Sequence, residues 1–241
     1  MCPNDVDIAP AEGLMSDLIF EDPLTGGSEA PAHFRGGFHK PGKIVCIGRN
    51  YREHAKELGN EVPTEPLFFL KPSTSIIRGG DPIVLPRQSE KVEFEGEVGI
   101  VIGSRLKNAS ESEAIAAVSG VVALNDVTAR DLQKKDSQWT RAKGFDTFCP
   151  VGEVAEGNFD LGNLVMITRV NGELRQRANT SEMVFSIPML LSYVSHVMTL
   201  EPGDLVATGT PAGVGPLKAG DVVEIEIEGV SRVSNPVQGP G

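Results

Sequence analysis

The chain has 241 residues, with 22 Lys and Arg against 33 Asp and Glu, so its formal net charge at pH 7 is −11. Hydrophobic residues make up 40% of it and charged residues 23%, which is typical of a folded globular protein and excludes global disorder and fibrous repeats. No apolar run approaches the roughly 18 residues of a membrane span, and an acidic chain lacks the basic face that nucleic-acid phosphates require. We therefore expect a soluble cytoplasmic protein with neither a membrane nor a nucleic-acid partner.

Cysteine usage favours the same compartment. Cys2, Cys46 and Cys149 are odd in number and far apart, and no CxxC pair occurs. The sequence thus predicts neither a disulfide framework nor a cysteine zinc site. We expect reduced thiols, with Cys46 and Cys149 buried.

The first 41 residues differ from the rest of the chain. They are acidic and rich in Gly and Pro, contain only Arg35 and Lys40 as basic residues, and lack sustained periodicity. We predict an irregular N-terminal arm or small edge subdomain over residues 1–41. Regular apolar patterns begin at residue 43 and continue without a linker, so residues 42–241 are predicted to form one domain.

The later elements are mostly short strands. Apolar runs predict buried strands at 43–47, 98–102 and 121–124. Ser110 and Glu113 form a capping-box pattern that predicts the start of a helix. Further on, the patterns predict a hairpin at 164–177 turning at Asn171-Gly172, an amphipathic helix at 187–198 capped by Ser186, and a half-exposed strand at 223–228.

Strands outnumber helices in this pattern. A doubly wound α/β fold requires helices between its strands, and the sequence does not supply enough of them. We predict a mixed α/β, strand-rich fold, a mixed β-sandwich or roll with a few short helices.

Three acidic residues are candidates for a metal site. Glu95 and Glu97 are two apart in a predicted strand and so share a face, and Asp126 follows a buried strand. Carboxylates with no nearby His or Cys cluster make an oxygen-rich site that suits Mg²⁺ or Mn²⁺. The alternative is a solvated acidic edge, which we expect for the alternating acids at 224–228.

His54 and Glu57 are three residues apart, which makes them neighbours on one helical turn. A glutamate that accepts a hydrogen bond from an imidazole orients it as a general base, although such a pair can also be an ordinary surface feature.

Lys143 lies in an aromatic and glycine-containing segment and could balance the charge of a substrate carboxylate or enolate, or be simply solvated.

Residues 209–215, GTPAGVG, follow an apolar strand. Their backbone N–H groups and the Thr210 hydroxyl could bind an anion, or the segment could be only a tight turn. Because it is neither GxGxxG nor GK[ST], it does not predict a nucleotide site.

Seven segments occur in the order and approximate spacing of one family, and over about residues 42–237 the chain resembles the fumarylacetoacetate hydrolase family, specifically its short acylpyruvase-like branch. The segments are KIVCIGRNYREHAKELG, EPLFFLKPSTS, VEFEGEVGIVIG, LNDVTARDLQ, QWTRAKGFDTFCPVG, VNGELRQ and LEPGDLVATGTPAGVGPLKAGD.

The resemblance implies a mixed β-roll, a homodimer, and Mg²⁺ or Mn²⁺ in the pocket. By position it makes Glu95, Glu97 and Asp126 the metal ligands. It makes His54 and Glu57 the catalytic pair of a mobile lid and Lys143 a catalytic lysine on the substrate side. The substrate-binding positions that it implies are Arg49, Arg130, Gln133 and Thr210.

The activity that the resemblance implies is hydrolysis of a C–C bond in a 2,4-dioxo acid of the acylpyruvate or fumarylpyruvate type, giving pyruvate and a carboxylic acid. His54 would activate the attacking water. The alternatives are oxaloacetate decarboxylation or tautomerisation, and isomerisation of 5-carboxymethyl-2-hydroxymuconate (2-hydroxyhepta-2,4-diene-1,7-dioate). A non-catalytic member of the family is favoured least, because every polar position of the site is present.

Overall fold

The computed structural model describes residues 41–59 and 61–240, so nearly all of the predicted arm at 1–41 lies outside the described residues. The strands are β1 (Ile44–Gly48), β2 (Leu67–Lys71), β3 (Ile76–Arg78), β4 (Ile83–Val84), β5 (Val92–Phe94), β6 (Gly96–Ile102), β7 (Val118–Asn125), β8 (Thr128–Ala129), β9 (Cys149–Val151), β10 (Ala155–Glu156), β11 (Val165–Val170), β12 (Glu173–Asn179), β13 (Leu205–Ala207), β14 (Gly215–Pro216), β15 (Val222–Ile227) and β16 (Ser231–Gln238). The helices are α1 (Arg52–Glu57), α2 (Glu111–Ala116), α3 (Arg130–Lys135), α4 (Thr140–Lys143) and α5 (Ile187–Val197), with 3₁₀ turns at Ser73–Ser75 and Thr180–Glu182.

Three sheets organise these strands. The largest has eight strands in the order β2-β1-β13-β6-β7-β9-β3, with β10 also paired to β7. A five-stranded sheet has the order β12-β11-β15-β16-β4, and a three-stranded sheet has the order β14-β5-β8. The pairs β1–β13 and β3–β9 are parallel, whereas β6–β7 is antiparallel. This confirms the predicted mixed, strand-rich fold.

The five-stranded sheet packs with β11, β15 and β16 against β6 and β7 of the largest sheet. Buried side chains of both sheets, including Val98, Ile100 and Ile225, belong to one apolar core. At one point the two sheets come unusually close, since a Cβ on Gly96 would lie 2.1 Å from the Thr168 hydroxyl oxygen. Glycine therefore permits this approach at the residue between Glu95 and Glu97.

The local sequence signals are also confirmed. Ser110 and Glu113 form the reciprocal capping box at the start of α2, and the Ser186 hydroxyl accepts a hydrogen bond from the Met189 N–H at the start of α5. The hairpin turns at Asn171 and Gly172, whose φ values of 54° and 81° are those of a type I′ turn.

The two described cysteines, Cys46 and Cys149, are buried and free. Burial raises the pKa of the Cys149 thiol to about 12 and that of Cys46 well above its usual value. Both thiols are therefore neutral and packed rather than nucleophilic. Among the described residues, no helix combines the length and apolarity needed to cross a membrane.

Candidate active site

The three predicted metal-binding acids meet where the chain leaves β5 and β7. The predicted strand that carries Glu95 and Glu97 is interrupted at Glu95, between β5 and β6. The Glu95 N–H donates to the Asn125 side-chain oxygen at 3.0 Å, and the Asp126 N–H donates to the Glu95 carbonyl at 2.8 Å. These bonds fix the chain on both sides of the acidic group.

Glu95, Glu97 and Asp126 each offer a carboxylate oxygen, and these oxygens all lie within 4.8 Å of one another. Their side chains are almost completely buried, with residue exposures of 4%, 1% and 1%. Three converging carboxylates are hard oxygen ligands that fit Mg²⁺ or Mn²⁺ and leave further positions for water or substrate oxygens. The residues present thus fit a divalent cation.

Two buried lysines neutralise part of this charge. Lys143 lies at the end of α4, and its Nζ is 2.7 Å from Glu95 Oε2 and 2.6 Å from Asp126 Oδ2. Lys71, at the end of β2, donates to Asp126 Oδ1 at 2.7 Å and to the Val127 carbonyl at 3.1 Å. The sequence analysis anticipated Lys143 but not Lys71. The available signal for Lys71 was a lysine directly after the apolar run Leu67–Leu70.

Arg130, predicted to bind substrate, is instead held by the protein's own groups. Its Nε donates to Glu93 Oε2 at 2.6 Å, its Nη2 to Glu95, and its Nη1 to Gln133 Oε1 at 2.6 Å. Its side chain is only 2% exposed. The guanidinium therefore pairs with two buried carboxylates at the wall of the cavity, and Gln133 is its half-buried neighbour there.

Opposing electrostatic effects act on the acids. Burial alone would raise the pKa of Glu95, but the positive charges of Lys143 and Arg130 outweigh it and hold that pKa well below its usual range. Burial, reinforced by the negative charges of Asp126 and Glu95, raises the pKa of Glu97 well above its usual value. Burial lowers the pKa of Lys143, but Asp126 and Glu95 outweigh it, so the pKa is raised and the lysine stays cationic.

The raised pKa of Glu97 predicts that metal binding releases a proton. Glu97 is protonated over a pH range in which an exposed glutamate is ionised, and a bound cation requires its carboxylate form. We expect the Mn²⁺ affinity to rise by about tenfold per pH unit below this raised pKa and to level off above it. Calorimetric titration in two buffers of different ionisation enthalpy measures the proton released, and identical heats in both buffers would contradict the prediction.

His54 and Glu57 lie on α1, beside the same cavity. His54 Nδ1 is 3.2 Å from Glu57 Oε2, and His54 is 4% exposed. Glu57 also accepts hydrogen bonds from the Gly213 N–H, at 3.0 and 3.3 Å to its two oxygens. Because Nδ1 is committed to Glu57, Nε2 is the ring nitrogen that can exchange a proton with a substrate.

Asn50 anchors the segment that carries this pair. Its side chain is fully buried, donating to the Phe185 and Thr208 carbonyls at 3.1 and 2.9 Å and accepting from the Phe185 N–H at 2.9 Å. Gly209, with φ at +101°, lies against it, since a Cβ there would be 2.7 Å from the Asn50 Cβ. Asn50, which the sequence analysis did not single out, thus ties the base of α1 to two distant segments.

Replacing Asn50 by Ala is expected to lower the free energy of unfolding by about 2–4 kcal/mol, because one buried and two partly buried backbone groups lose their partner. Urea unfolding measures this change. Asn163→Ala is the matched control, since the Asn163 amide oxygen makes an exposed bond to Asn179 at 2.8 Å, and we expect a loss of no more than about 0.5 kcal/mol. Equal losses in the two variants would refute the anchoring role.

Backbone N–H groups of the loop at 209–215 donate hydrogen bonds to carboxylates of the chain itself, those of Glu97 and Glu57. The Gly209 N–H donates to Glu97 Oε2 at 2.7 Å, and Gly213 binds Glu57 as described. The Thr210 hydroxyl, predicted to bind substrate, donates to the Gly96 carbonyl at 2.9 Å. The loop thus connects the acidic group to the His54–Glu57 pair.

One cavity brings the predicted residues together. All except Glu57 line it, and Glu57 reaches it through His54. Its wall also contains Phe69 and Trp139, whose rings meet edge to face at 5.3 Å between centroids. The Lys143 Nζ lies 4.9 Å from the centre of the Phe69 ring. The lining residues are Ile47, Gly48, Arg49, His54, Leu58, Phe69, Glu95, Glu97, Asp126, Arg130, Gln133, Trp139, Lys143 and Thr210.

Known proteins are similar to this chain in sequence and in fold. Residues 43–238 match the family model described as fumarylacetoacetate (FAA) hydrolase C-terminal. The chain is 46% identical to a mitochondrial oxaloacetate decarboxylase of Dictyostelium discoideum, over 78% of this chain and 89% of that protein. It is 44% identical to a mitochondrial oxaloacetate tautomerase of Bos taurus, over 82% and 92%.

A solved structure named 5-carboxymethyl-2-hydroxymuconate delta-isomerase, from Mycobacterium smegmatis, is 45% identical and superimposes with a TM-score of 0.78, over 84% of this chain and 80% of that one. The chain therefore belongs to the fumarylacetoacetate hydrolase family.

Proposed function

We propose that this protein is a Mg²⁺- or Mn²⁺-dependent enzyme that acts on a small 2-oxo acid by stabilising its enolate, with oxaloacetate as the first candidate substrate. The observation that carries the proposal is the group of three buried carboxylates, two of them bridged by Lys143, in one cavity with His54, which Glu57 contacts. The relatives named for oxaloacetate decarboxylation and tautomerisation support the choice of substrate.

The charge of the site supports an anionic substrate despite the acidic chain. The buried acids Glu93, Glu95, Glu97 and Asp126 face the buried cations Lys71, Arg130 and Lys143. When all four acids are ionised, a divalent cation leaves this group with one net positive charge. Arg49, which also lines the cavity, adds a second. The loaded pocket is thus locally positive and attracts a dicarboxylate.

Glu95, Glu97 and Asp126 hold the metal in this proposal. A bound divalent cation supplies Lewis-acid stabilisation to the oxygens of a 2-oxo acid. Lys143 places its ammonium beside the same oxygens and stabilises the negative charge that develops there. Gln133 and Arg49, at the wall of the cavity, orient the rest of the substrate.

His54 moves the protons. In tautomerisation Nε2 removes a proton from C3 of the keto acid, and the imidazolium, paired with Glu57, returns it to the 2-oxo oxygen to give the enol. In decarboxylation the C3–C4 bond of oxaloacetate breaks, its electron pair stays on C3 and CO₂ leaves. The His54 imidazolium, which takes its proton from solvent, then protonates C3 of the remaining pyruvate enolate. Both reactions need the same stabilised enolate.

The second candidate is hydrolysis of a 2,4-dioxo acid, which the histidine–glutamate pair favours. Here His54 removes a proton from water, the resulting hydroxide attacks the C4 carbonyl, and the C3–C4 bond breaks. The products are a carboxylic acid and pyruvate enolate, which His54 protonates at C3. Unlike the first candidate, this reaction requires a water within reach of Nε2.

Three parallel assays test the proposal with Mn²⁺ present and then with EDTA: the decay of oxaloacetate enol absorbance, pyruvate formation from oxaloacetate, and pyruvate formation from acetylpyruvate. We expect EDTA-sensitive acceleration in the oxaloacetate assays. A faster EDTA-sensitive release from acetylpyruvate would favour hydrolysis instead. No metal-dependent acceleration in any assay would overturn the enolate chemistry.

We also propose that the protein forms a homodimer. Leu67 and Leu70, on the edge strand β2, are 36% and 44% exposed and support a contact between copies. Sedimentation velocity is expected to give twice the mass of the chain, and a monomer at micromolar concentration would contradict it.

A further inference from the structure

The backbone of Gly96 lies between two of the candidate metal ligands, and side chains from elsewhere hold its N–H and its carbonyl. Its N–H donates to Gln176 Oε1 at 3.0 Å, and its carbonyl accepts from the Thr210 hydroxyl at 2.9 Å. Gln176 Nε2 in turn donates to the Thr210 hydroxyl oxygen at 2.8 Å. Gly96, Gln176 and Thr210 thus form a closed ring of three hydrogen bonds, which we call the Gly96 clamp.

Gln176 is fully committed to this arrangement. Its Oε1 also accepts from the Thr168 hydroxyl at 2.7 Å, and its Nε2 also donates to the Pro211 carbonyl at 2.8 Å. A primary amide has two acceptor sites and two donors, so all four are used by a residue that is 1% exposed. The backbone groups fix its orientation, because the Gly96 N–H can only donate and the Pro211 carbonyl can only accept.

The Gly96 clamp acts on the backbone that joins two candidate metal ligands. Glu95 and Glu97 flank Gly96, so a rotation about the Gly96 backbone bonds changes the separation of their carboxylates. Gly96 has no side chain of its own to pack, and the nearby Thr168 hydroxyl leaves no room for one. The Asp126 N–H holds the Glu95 carbonyl on one side, and the groups of the Gly96 clamp hold the N–H and the carbonyl of Gly96 itself.

We propose that Gln176 is a positioning residue for the metal site: through the Gly96 clamp it sets the spacing of Glu95 and Glu97 that a divalent cation requires. This inference rests on the proposed function, since it assumes that the cation binds there. Gln176 contacts none of the three carboxylates and comes from β12, in a different sheet. The Thr210 hydroxyl has the same role toward the Gly96 carbonyl.

Mn²⁺ binding without substrate tests the proposal, with free Mn²⁺ measured by electron paramagnetic resonance. Gln176→Leu keeps the approximate volume and removes every hydrogen bond of the amide. We expect its Kd for Mn²⁺ to rise by about 10- to 100-fold, the usual effect of losing a group that supports metal ligands. Circular dichroism confirms that each variant is folded at the temperature of the titration.

Ala178→Gly is the matched control. Ala178 lies two residues further along β12 and is also buried, at 6% exposure, so its replacement by Gly weakens the same strand without touching the Gly96 clamp. We expect a lower melting temperature and an unchanged Kd for Mn²⁺. A residue with a merely structural role at position 176 would behave like this control.

Thr210→Val provides a second variant, which removes the bond to the Gly96 carbonyl. We expect it to raise the Kd for Mn²⁺ as well. The double variant Gln176→Leu, Thr210→Val is expected to fall short of the product of the two effects, because both side chains hold the backbone of one residue and bond to each other. If Gln176→Leu does not fold, Thr210→Val decides the question, and an unchanged Kd would overturn the proposal.

The outcomes separate this inference from the proposed function. Wild-type protein that binds Mn²⁺, together with a Gln176→Leu variant that binds it equally well, would refute the positioning role and leave the proposed function standing. Wild-type protein that binds no Mn²⁺ would refute the proposed metal site and, with it, the role of Gln176.

Discussion

Replacing Glu95 by Gln is expected to abolish metal binding and every activity of the site together. The substitution removes one of three carboxylate ligands and directs an amide toward Lys143 and Arg130, which can only donate hydrogen bonds. We expect the Kd for Mn²⁺ to rise by at least about 100-fold. Turnover of oxaloacetate and of acetylpyruvate is expected to fall by at least about 1,000-fold. Mn²⁺ titration and the three assays measure these effects.

Glu93→Gln is the matched control for this experiment. Glu93 is a buried carboxylate that shares Arg130 with Glu95 but lies outside the group of three candidate metal ligands. Both substitutions leave a buried guanidinium with one carboxylate fewer, so both are expected to cost about 3 kcal/mol of unfolding free energy. Only Glu95→Gln is expected to lose the metal. Equal Mn²⁺ affinities in the two variants would show that Glu95 is not a ligand.

Replacing His54 by Ala is expected to separate proton transfer from metal binding. The imidazole contacts Glu57 and lines the cavity without belonging to the group of carboxylates. We expect kcat to fall by about 10²- to 10⁴-fold, the usual contribution of a positioned general base, while the Kd for Mn²⁺ stays unchanged. Steady-state assays with oxaloacetate and acetylpyruvate, and a Mn²⁺ titration, measure the two properties separately.

His196→Ala controls for the loss of a histidine. His196 is exposed on α5, and its Nδ1 lies 2.8 Å from the Ser192 carbonyl, so its removal is expected to leave kcat unchanged. Glu57→Gln is expected to give a smaller loss than His54→Ala, since an amide can still accept from the Gly213 N–H but holds the imidazole less firmly. Unchanged turnover in His54→Ala would remove the pair from the mechanism.

Much of the fold could be predicted because its local signals do not depend on distant residues. The capping box at Ser110, the Asn171-Gly172 turn and the alternation in β15 each specify a conformation through neighbours in sequence. Pairing between sheets could not be read in this way. The parallel pair β1–β13 joins segments about 160 residues apart, and no pattern in either strand names its partner.

The candidate site shows the same division. Glu95, Glu97, Asp126, His54 and Lys143 were identified because their spacing or their family position marked them, and the structure brings them to one cavity. The sequence did not single out Lys71, Asn50 or Gln176. Each acts through partners more than 30 residues away, so its importance arises only once the sheets have packed. Arg130 was identified as well, but its pairing with Glu93 and Glu95 could not be predicted from the sequence.

The buried cations have a consequence for how the proposed metal would be acquired. Lys71, Arg130 and Lys143 already pair with the carboxylates, and Glu97 can remain neutral, so the acidic group does not depend on a divalent ion to offset its repulsion. In a zinc finger, by contrast, metal binding supplies the free energy of folding. Under the proposed function, this polypeptide would fold first and load its ion afterwards, and an exchange of Mg²⁺ for Mn²⁺ would leave the chain folded.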